Sequence, residues 1–265
     1  MFTREILYML GNVSSLLDVE WFLGVPLNDT ENLRLGIAEV GMAVLGDKLK
    51  GLQVGNEPDL YVRHDHRNDS YGPSDYDKEF GVVAAALDSM TGKTVTNLIG
   101  PSIAMADWTP QMVWDTGFAT NHPELGILSV EKYPTDNCYP EYQIGTLHPP
   151  QIVFSDFLNH TSGQLLVQPY LASTAYAQTL GKPFYMFETN RYIYIAYLRR
   201  CAHFLNSASC GGFPGVSNSF GASLWALDYA MQMGYSNFSG ALFHVGGQDV
   251  YYNVCMYAVI VDISN

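Results

Sequence analysis

Two patterns of hydrophobic and polar positions alternate along the chain. Short, nearly continuous apolar runs predict buried strands, and they occupy residues 19–27, 49–57, 97–104, 125–134, 182–188 and 240–246. Segments with a helical apolar period lie between them, at residues 31–45, 74–90, 110–118, 151–159, 163–180 and 219–234. Asp29 or Thr30 is placed to cap the first of these helices. Strands that alternate with helices indicate a parallel arrangement with right-handed crossovers.

This alternation fits either a doubly wound sheet or a barrel. No glycine-rich loop of the dinucleotide-binding or phosphate-binding type follows any predicted strand, which weakens the nucleotide-binding interpretation. The length of 265 residues is typical of one α/β barrel domain. Six strand–helix units are visible, however, which is fewer than a closed barrel of this type contains.

The charge balance argues against two classes of partner. The formal net charge is −13, and no basic cluster offsets it. Phosphate backbones and anionic membranes are therefore disfavoured as ligands. No apolar run reaches the roughly 18 residues that a membrane span needs. We expect neither a nucleic-acid partner nor a membrane partner.

Sorting signals in the chain point in two directions. The first residues lack the basic and then apolar pattern of a secretion signal. Asn-x-Ser/Thr sequons, in contrast, are more frequent than chance would give, and they begin at Asn12, Asn28, Asn68, Asn159 and Asn237. Their number favours an extracellular glycoprotein. A missing upstream segment would reconcile the two observations.

Two glutamates stand at the ends of predicted strands. Glu57 lies between Asn56 and Pro58, and Glu188 directly follows a later apolar run. In parallel α/β folds, polar residues at the carboxyl ends of strands face the active-site mouth. Cleavage of a glycosidic bond requires two such carboxyl groups, one to protonate the leaving oxygen and one to attack carbon or activate water. The simpler interpretation of Glu57 is a loop carboxylate that caps the following turn.

Longer strings carry a specific resemblance. The sequence NEP at a strand end, with a later strand-end glutamate, resembles the clan of retaining barrel glycosidases. FLGVPLNDTENLRLGIAE, LQVGNEPDLYVRH, SASCGGFPGVSNSFGASLWALDYAMQMGYSNFSGALFHVGG and VYYN resemble fungal members of glycoside hydrolase family 79, which includes β-glucuronidases and is related to heparanase. The resemblance implies Glu57 as general acid/base, Glu188 as nucleophile, Asn56 as a hydroxyl-binding neighbour and Tyr133 near the nucleophile. It implies no cofactor and no metal.

The resemblance also implies an incomplete (β/α)8 TIM-type barrel. If Glu57 ends the fourth strand and Glu188 ends the seventh, the chain contains strands three to eight, and strands one and two are missing. The β-sandwich domain that usually follows such a barrel is missing as well. We therefore assign residues 1–253 to a partial barrel that forms the catalytic domain.

Two segments depart from the family pattern. Residues 191–206 separate ETN from SASCGG, and residues 254–265 form an apolar tail. We interpret both segments as translated introns. The first would then be an aberrant insertion and the second a non-native tail. The alternative is a genuine surface insertion followed by a genuine terminal strand. Because an open barrel exposes strand edges and the insertion adjoins the nucleophile, we expect the chain as written to fold poorly or to be inactive.

Cysteine and histidine usage gives little support for a metal site. Two of the four cysteines lie in the departing segments, which leaves Cys138 and Cys210 as a possible disulfide of a secreted protein. Two unrelated buried thiols are the alternative. No CxxC spacing supports zinc, and His64 and His66 fit a solvated loop better than a pair of ligands.

One loop and several cations are candidates to bind a sugar carboxylate. His244 follows the last predicted strand, and the Gly246–Gly247 pair behind it would let backbone N–H groups approach a ligand closely. Rival partners for the carboxylate are Arg34, Arg63 and Arg67.

Together the residues and the resemblance predict a retaining hydrolase that cleaves β-glucuronides, or their 4-O-methyl forms, by double displacement. Its partner would be a glucuronide-bearing glycan or glycoside. One alternative is a barrel glycosidase acting on neutral β-glycosides, and another is a non-catalytic sugar-binding fragment or pseudoenzyme. Exo or endo action, the aglycone and the oligomeric state are left open.

Overall fold

A computed structural model describes residues 3–189, 208–210, 212–213, 215–217, 219–244 and 261–262. The suspected insertion at 191–206 lies outside the described residues, as do Gly246 and Gly247. Of the suspected tail at 254–265, only Val261–Asp262 is described. The chain divides into two compact units, Met1–Val130 and Glu131–Asn265.

The first unit is a parallel sheet with helical connections. Its elements in chain order are α1 (Arg4–Leu17), β1 (Trp21–Val25), α2 (Gly36–Leu45), β2 (Leu49–Val54), α3 (Pro73–Thr91), β3 (Leu98–Ile103), α4 (Pro110–Trp114), α5 (Phe118–Asn121) and β4 (Leu125–Glu131). Each of its strands pairs in parallel with the next one along the chain. Strand β4 ends on Glu131, the first residue of the second unit.

The second unit repeats the strand–helix order. It contains α6 (Tyr139–Tyr142), α7 (Pro150–Phe157), α8 (His160–Val167), α9 (Leu171–Thr179), β5 (Phe184–Thr189), α10 (Phe220–Tyr235), β6 (Gly240–Phe243) and β7 (Val261–Asp262). β5 and β6 are parallel, whereas β7 is antiparallel to β6. The six predicted strands are thus confirmed as β1–β6, and so is the α/β class with parallel pairing inside each unit. Their numbering as strands three to eight of a barrel stays a prediction.

The core of the first unit is built on β3. All six residues of this strand are buried, as expected for a parallel strand covered on both faces. Tyr76, Phe80 and Phe118 pack their rings together beside it. A Cβ atom at Gly100 would lie 2.8 Å from the Tyr76 hydroxyl and 3.0 Å from Phe118 Cζ. Glycine at this strand position therefore makes room for the aromatic cluster.

Helix boundaries differ from the predictions in three places. The first predicted helix begins at Gly36, and neither Asp29 nor Thr30 caps it. The Asp29 carboxylate accepts hydrogen bonds from the Glu31 and Asn32 amides instead, because a short acidic side chain also closes a local turn. The predicted helix at 163–180 is split into α8 and α9 by a single turn of 3-10 helix, Gln168–Tyr170, that contains Pro169.

The third difference is at residues 110–118, where a single helix was predicted. The structure has two short helices, α4 and α5, separated by Gly117 at φ +87°. Helix α1 was not predicted at all. Helix propensity is a weak guide that tertiary context can override, so it did not locate these boundaries.

A disulfide joins Cys138 and Cys210 in the second unit. The same two segments are held by backbone hydrogen bonds from Asn137 N to Ser209 O and from Ser209 N to Thr135 O, both 3.1 Å long. The loop after β4 is thereby tied to residues 72 positions further along the chain.

Candidate functional site

Glu57 lies in the turn that follows β2 in the first unit. Its backbone adopts φ +46°, a left-handed conformation that is uncommon for residues other than glycine. The Glu57 amide donates to the Ser102 carbonyl of β3 at 3.0 Å, and its own carbonyl accepts from Leu60 N at 2.9 Å. Such conformations persist where the surrounding structure holds them, and they are common at functional sites. The side chain of Glu57 is partly buried.

A buried carboxylate holds this turn in place. Asp59 accepts from the Ala104 amide at 2.9 Å and from the Ala106 amide at 2.7 Å, and both amides belong to the segment that follows β3. Burial raises the pKa of the Asp59 carboxyl, and the two N–H donors oppose that rise. Arg63 adds a forked ion pair to Asp107 nearby. The turn with Glu57 is therefore anchored on the neighbouring strand's loop.

Asn56 is exposed beside Glu57, as its predicted contact with a substrate hydroxyl requires. Its Oδ1 atom accepts from Gln53 Nε2 at 3.2 Å, and its backbone N–H donates to the Tyr61 hydroxyl at 3.3 Å. Sequence reasoning missed Gln53, Tyr61 and Asp59. The string LQVGNEPDLY contains them all, but nothing in their spacing distinguishes supporting residues from ordinary loop residues.

Glu188, Tyr133 and His244, all residues of the second unit, lie together at or just after strand ends, and we call this set the Glu188 cluster. The Tyr133 hydroxyl donates to Glu188 Oε1 at 2.5 Å. His244 Nδ1 lies 2.7 Å from the Tyr133 hydroxyl and 3.4 Å from Glu188 Oε1. The Glu188 side chain is 25% exposed, so its carboxylate is accessible to a ligand while it is held on one side.

Backbone hydrogen bonds fix the relative positions of the three strand ends. Lys132 N donates to the Glu188 carbonyl at 2.8 Å, next to Tyr133. His244 N donates to the Thr189 carbonyl at 2.6 Å. The cluster is thus held by backbone hydrogen bonds at the strand ends, which position side chains more rigidly than free loops do.

The number of protons available on each group assigns the hydrogen-bond donors in the Glu188 cluster. A phenol has a single proton, and the geometry directs the Tyr133 proton to Glu188. His244 must then carry a proton on Nδ1 and donate it to the Tyr133 oxygen. The order of donation is therefore His244 to Tyr133 to Glu188, with the carboxylate as final acceptor.

The three arginines that rivalled His244 all have other partners. Arg34 donates to Asn28, Arg63 pairs with Asp107, and Arg67 forms a forked pair with Glu79 in which both side chains are less than one-fifth exposed. Arg67 also donates to the Leu27 carbonyl at 2.7 Å.

Two further observations concern the described part of the chain. It holds no group of three or more His, Cys, Asp or Glu side chains that could hold a metal ion. None of its helices is both long enough and apolar enough to cross a membrane.

Comparisons with known proteins give a consistent result. No family model matches the chain. A β-glucuronidase of Aspergillus niger is 25% identical over 236 residues, which cover 83% of this chain and 39% of that protein. The crystal structure of a 4-O-α-L-rhamnosyl-β-D-glucuronidase from Fusarium oxysporum 12S, in complex with Rha-GlcA, superposes with a TM-score of 0.60 at 20% identity. The match covers 92% of this chain and 46% of the Fusarium chain.

The likeness to the Fusarium enzyme shows a shared fold over nearly the whole chain. The chain spans less than half of the length of either relative. The sequence relationship to the Aspergillus β-glucuronidase and the fold shared with the Fusarium glucuronidase agree with the resemblance to glycoside hydrolase family 79.

Proposed function

We propose that this chain carries the catalytic residues of a retaining glycoside hydrolase that cleaves β-glucuronides. The observation that carries the proposal is Glu188, an accessible carboxylate at a strand end that accepts a 2.5 Å hydrogen bond from Tyr133. The names of the two relatives, a β-glucuronidase and a rhamnosyl-glucuronidase, support glucuronides as the substrate class. The residue roles come from the motifs around Glu57 and Glu188.

In the first step, Glu188 acts as nucleophile. One carboxylate oxygen attacks the anomeric carbon, and the bond from that carbon to the glycosidic oxygen breaks. Glu57 donates its proton to the departing oxygen, so that the leaving group departs as a neutral alcohol. The product of this step is a glycosyl ester on Glu188 and a Glu57 carboxylate.

In the second step, water displaces Glu188 from the anomeric carbon. Glu57 removes a proton from a water molecule as the water oxygen attacks the anomeric carbon. The ester bond to Glu188 breaks, and its carboxylate is regenerated. Because both steps invert the anomeric centre, the free sugar has the same β configuration as the substrate.

Tyr133 and His244 position the nucleophile in this scheme. The hydrogen bond from Tyr133 occupies one side of Oε1 and restricts rotation of the carboxylate. His244 holds the Tyr133 hydroxyl in the orientation that donates to Glu188. The earlier expectation that His244 and the Gly246–Gly247 pair bind the sugar carboxylate stays a proposal.

The Tyr133→Phe variant is expected to lower kcat/KM for an aryl β-glucuronide by roughly 10- to 100-fold, because a hydrogen bond to a charged group contributes about 1.5–3 kcal/mol. Steady-state kinetics measure the change. Tyr142→Phe, an exposed tyrosine of α6, is the matched control. Unchanged kinetics in Tyr133→Phe would mean that the contact with Glu188 plays no part in turnover.

Substrate class is tested by comparing aryl β-glucuronide with aryl β-glucoside turnover by the purified chain. We expect a clear preference for the glucuronide. A preference for the glucoside would favour the neutral-sugar glycosidase instead. Sugar binding without turnover of either substrate would indicate a pseudoenzyme, and it would agree with the expectation that the chain as written is inactive.

We propose an extracellular location for the natural protein. All five sequon asparagines are exposed, and the Cys138–Cys210 disulfide is typical of proteins from oxidising compartments. Recovery of a glycosylated form from the culture medium of the source cells is the direct measurement.

A further inference from the structure

Arg67, in the loop between β2 and α3, forms a set of hydrogen bonds that the proposed mechanism does not use. Its Nε and Nη2 atoms donate to the two carboxylate oxygens of Glu79 on α3, at 2.8 and 3.0 Å. Nη2 also donates to the Leu27 carbonyl at 2.7 Å, and Nη1 donates to the His66 carbonyl at 2.8 Å. The side chain of Arg67 is only 14% exposed, so these partners hold it in the place of water.

Two tyrosines complete this arrangement, and we call Arg67, Glu79, Tyr61 and Tyr71 the Arg67 network. The guanidinium carbon of Arg67 lies 5.4 Å from the ring centroids of both tyrosines, which is within cation–π range. The Tyr71 hydroxyl donates to Glu79 Oε2 at 2.9 Å. Burial raises the pKa of Tyr71, so the phenol keeps the proton that it donates. A forked, largely buried ion pair of this kind keeps one geometry, which an exposed pair of long side chains does not.

Tyr61 connects the Arg67 network to the backbone on both sides of Glu57. Its hydroxyl accepts a hydrogen bond from the Asn56 N–H at 3.3 Å, and its own N–H donates to the Pro58 carbonyl at 3.2 Å. The hydroxyl also lies against Gly55, where a Cβ atom would be 2.8 Å away from it. Because Tyr61 is buried, a displacement of its ring would be transmitted to the turn.

The turn needs this support because the backbone of Glu57 is in an uncommon conformation. A residue with a side chain stays at φ +46° only where its surroundings hold it there. A turn that relaxed towards ordinary backbone angles would swing the Glu57 carboxyl away from the leaving oxygen. A misplacement of about 1 Å can cost on the order of 100-fold in rate.

We propose that Arg67 is a positioning residue for the reaction, which acts through Tyr61 to keep the Glu57 carboxyl directed at the leaving oxygen. The inference rests on the proposed function, since it takes Glu57 as the general acid/base. Arg67 itself touches neither the substrate nor the reacting atoms in this scheme. Its loss should therefore impair proton donation by Glu57 and leave the attack by Glu188 intact.

The test variant removes the ion pair without leaving a buried charge. Arg67→Met combined with Glu79→Gln deletes both charges and keeps two side chains of similar length. Lys50→Met combined with Glu20→Gln is the matched control. It removes an exposed ion pair of 3.0 Å near the start of β2, the strand that leads into the same turn.

Rates for aryl β-glucuronides with different leaving groups are the first measurement. We expect the test variant to lower kcat/KM by about 30- to 100-fold for a leaving group that needs a proton, and by less than about three-fold for an activated one. The control should change neither rate by more than about two-fold. Tyr61→Phe keeps the ring and removes only the hydroxyl, so it should show the same dependence at a smaller size even where the double variant does not fold.

An equal loss for all leaving groups would mean a merely structural role and would overturn the inference. Glu57→Gln, measured on the same substrates, separates this result from a failure of the proposed function. If Glu57→Gln shows no dependence on the leaving group, the acid/base assignment fails, and the role of Arg67 fails with it. If Glu57→Gln shows the dependence and the Arg67 variant does not, only the role of Arg67 is rejected.

Amide hydrogen exchange in the full chain tests the same inference without turnover. We expect the amides of residues 55–61 to exchange at least about ten-fold faster in the Arg67 variant, whereas those of β4 keep their rates. The control should leave both sets unchanged. Unaltered exchange at residues 55–61, or an equal acceleration throughout the first unit, would overturn the assignment of Arg67.

Discussion

Replacing Glu188 by Gln is expected to lower kcat for an aryl β-glucuronide by on the order of 1,000-fold or more, with sugar binding retained. The amide keeps the length and shape of the side chain and still accepts the hydrogen bond from Tyr133. It cannot, however, form the glycosyl ester. Turnover and ligand binding are measured separately, and Glu39→Gln on the exposed face of α2 is the control for the same chemical change.

Covalent labelling makes this test independent of steady-state activity. A 2-fluoro-glucuronyl fluoride has an activated leaving group but a slow second step, so it should accumulate as an ester on the nucleophile. Mass spectrometry of digested protein is expected to place the label on Glu188 in the unaltered chain and to find none in Glu188→Gln. A label on another carboxylate, or normal rates in the variant, would discard the assignment of Glu188.

Replacing Glu57 by Gln should give a loss that depends on the leaving group. General acid catalysis contributes roughly 100- to 10,000-fold, and we expect a loss of that size for a glycan substrate whose leaving alcohol needs a proton. An activated aryl leaving group departs without protonation, so the first step should then be much less affected. Rates for a series of aryl glucuronides with different leaving-group pKa values measure this dependence.

The backbone of Glu57 suggests the second variant for the same test. Glycine adopts the φ of +46° at no steric cost, so Glu57→Gly removes the carboxyl without added strain. Azide, which needs no general base, should then restore turnover and give the β-glycosyl azide. An equal loss for all leaving groups, together with no rescue by azide, would reject Glu57 as acid/base.

Much of the fold could be predicted because each strand carries its own local pattern. The buried runs are apolar and bounded by polar or turn residues, and the strand positions followed from that pattern alone. Because Pro58 follows Glu57 directly, Glu57 was expected at the end of a strand. In the structure Glu57 lies in the turn that follows β2. Helix starts were less predictable, since Asp29 can close a turn as readily as it can cap a helix.

The pattern of hydrophobic and polar positions could not predict contacts between residues that are far apart in the chain. From the sequence, Cys138 and Cys210 could be either a disulfide or two separate buried thiols. The folded structure shows the disulfide. Tyr133 and His244 lie 111 residues apart, and the sequence placed each near a strand end without indicating that they share a hydrogen bond. Gly55 and Leu27 likewise meet only in the folded unit, where a Cβ atom at Gly55 would lie 3.2 Å from Leu27 Cδ2.

The residue types at the ends of the strands could be predicted from the amino-acid sequence, because hydrophobic burial follows local periodicity. Which of these residues touch depends on the folded chain, because strand register and loop path follow from packing that involves the whole unit. That is why Glu188 could be named as a candidate from its neighbours in the chain, whereas its hydrogen-bonded support by Tyr133 and His244 became visible only in the folded protein.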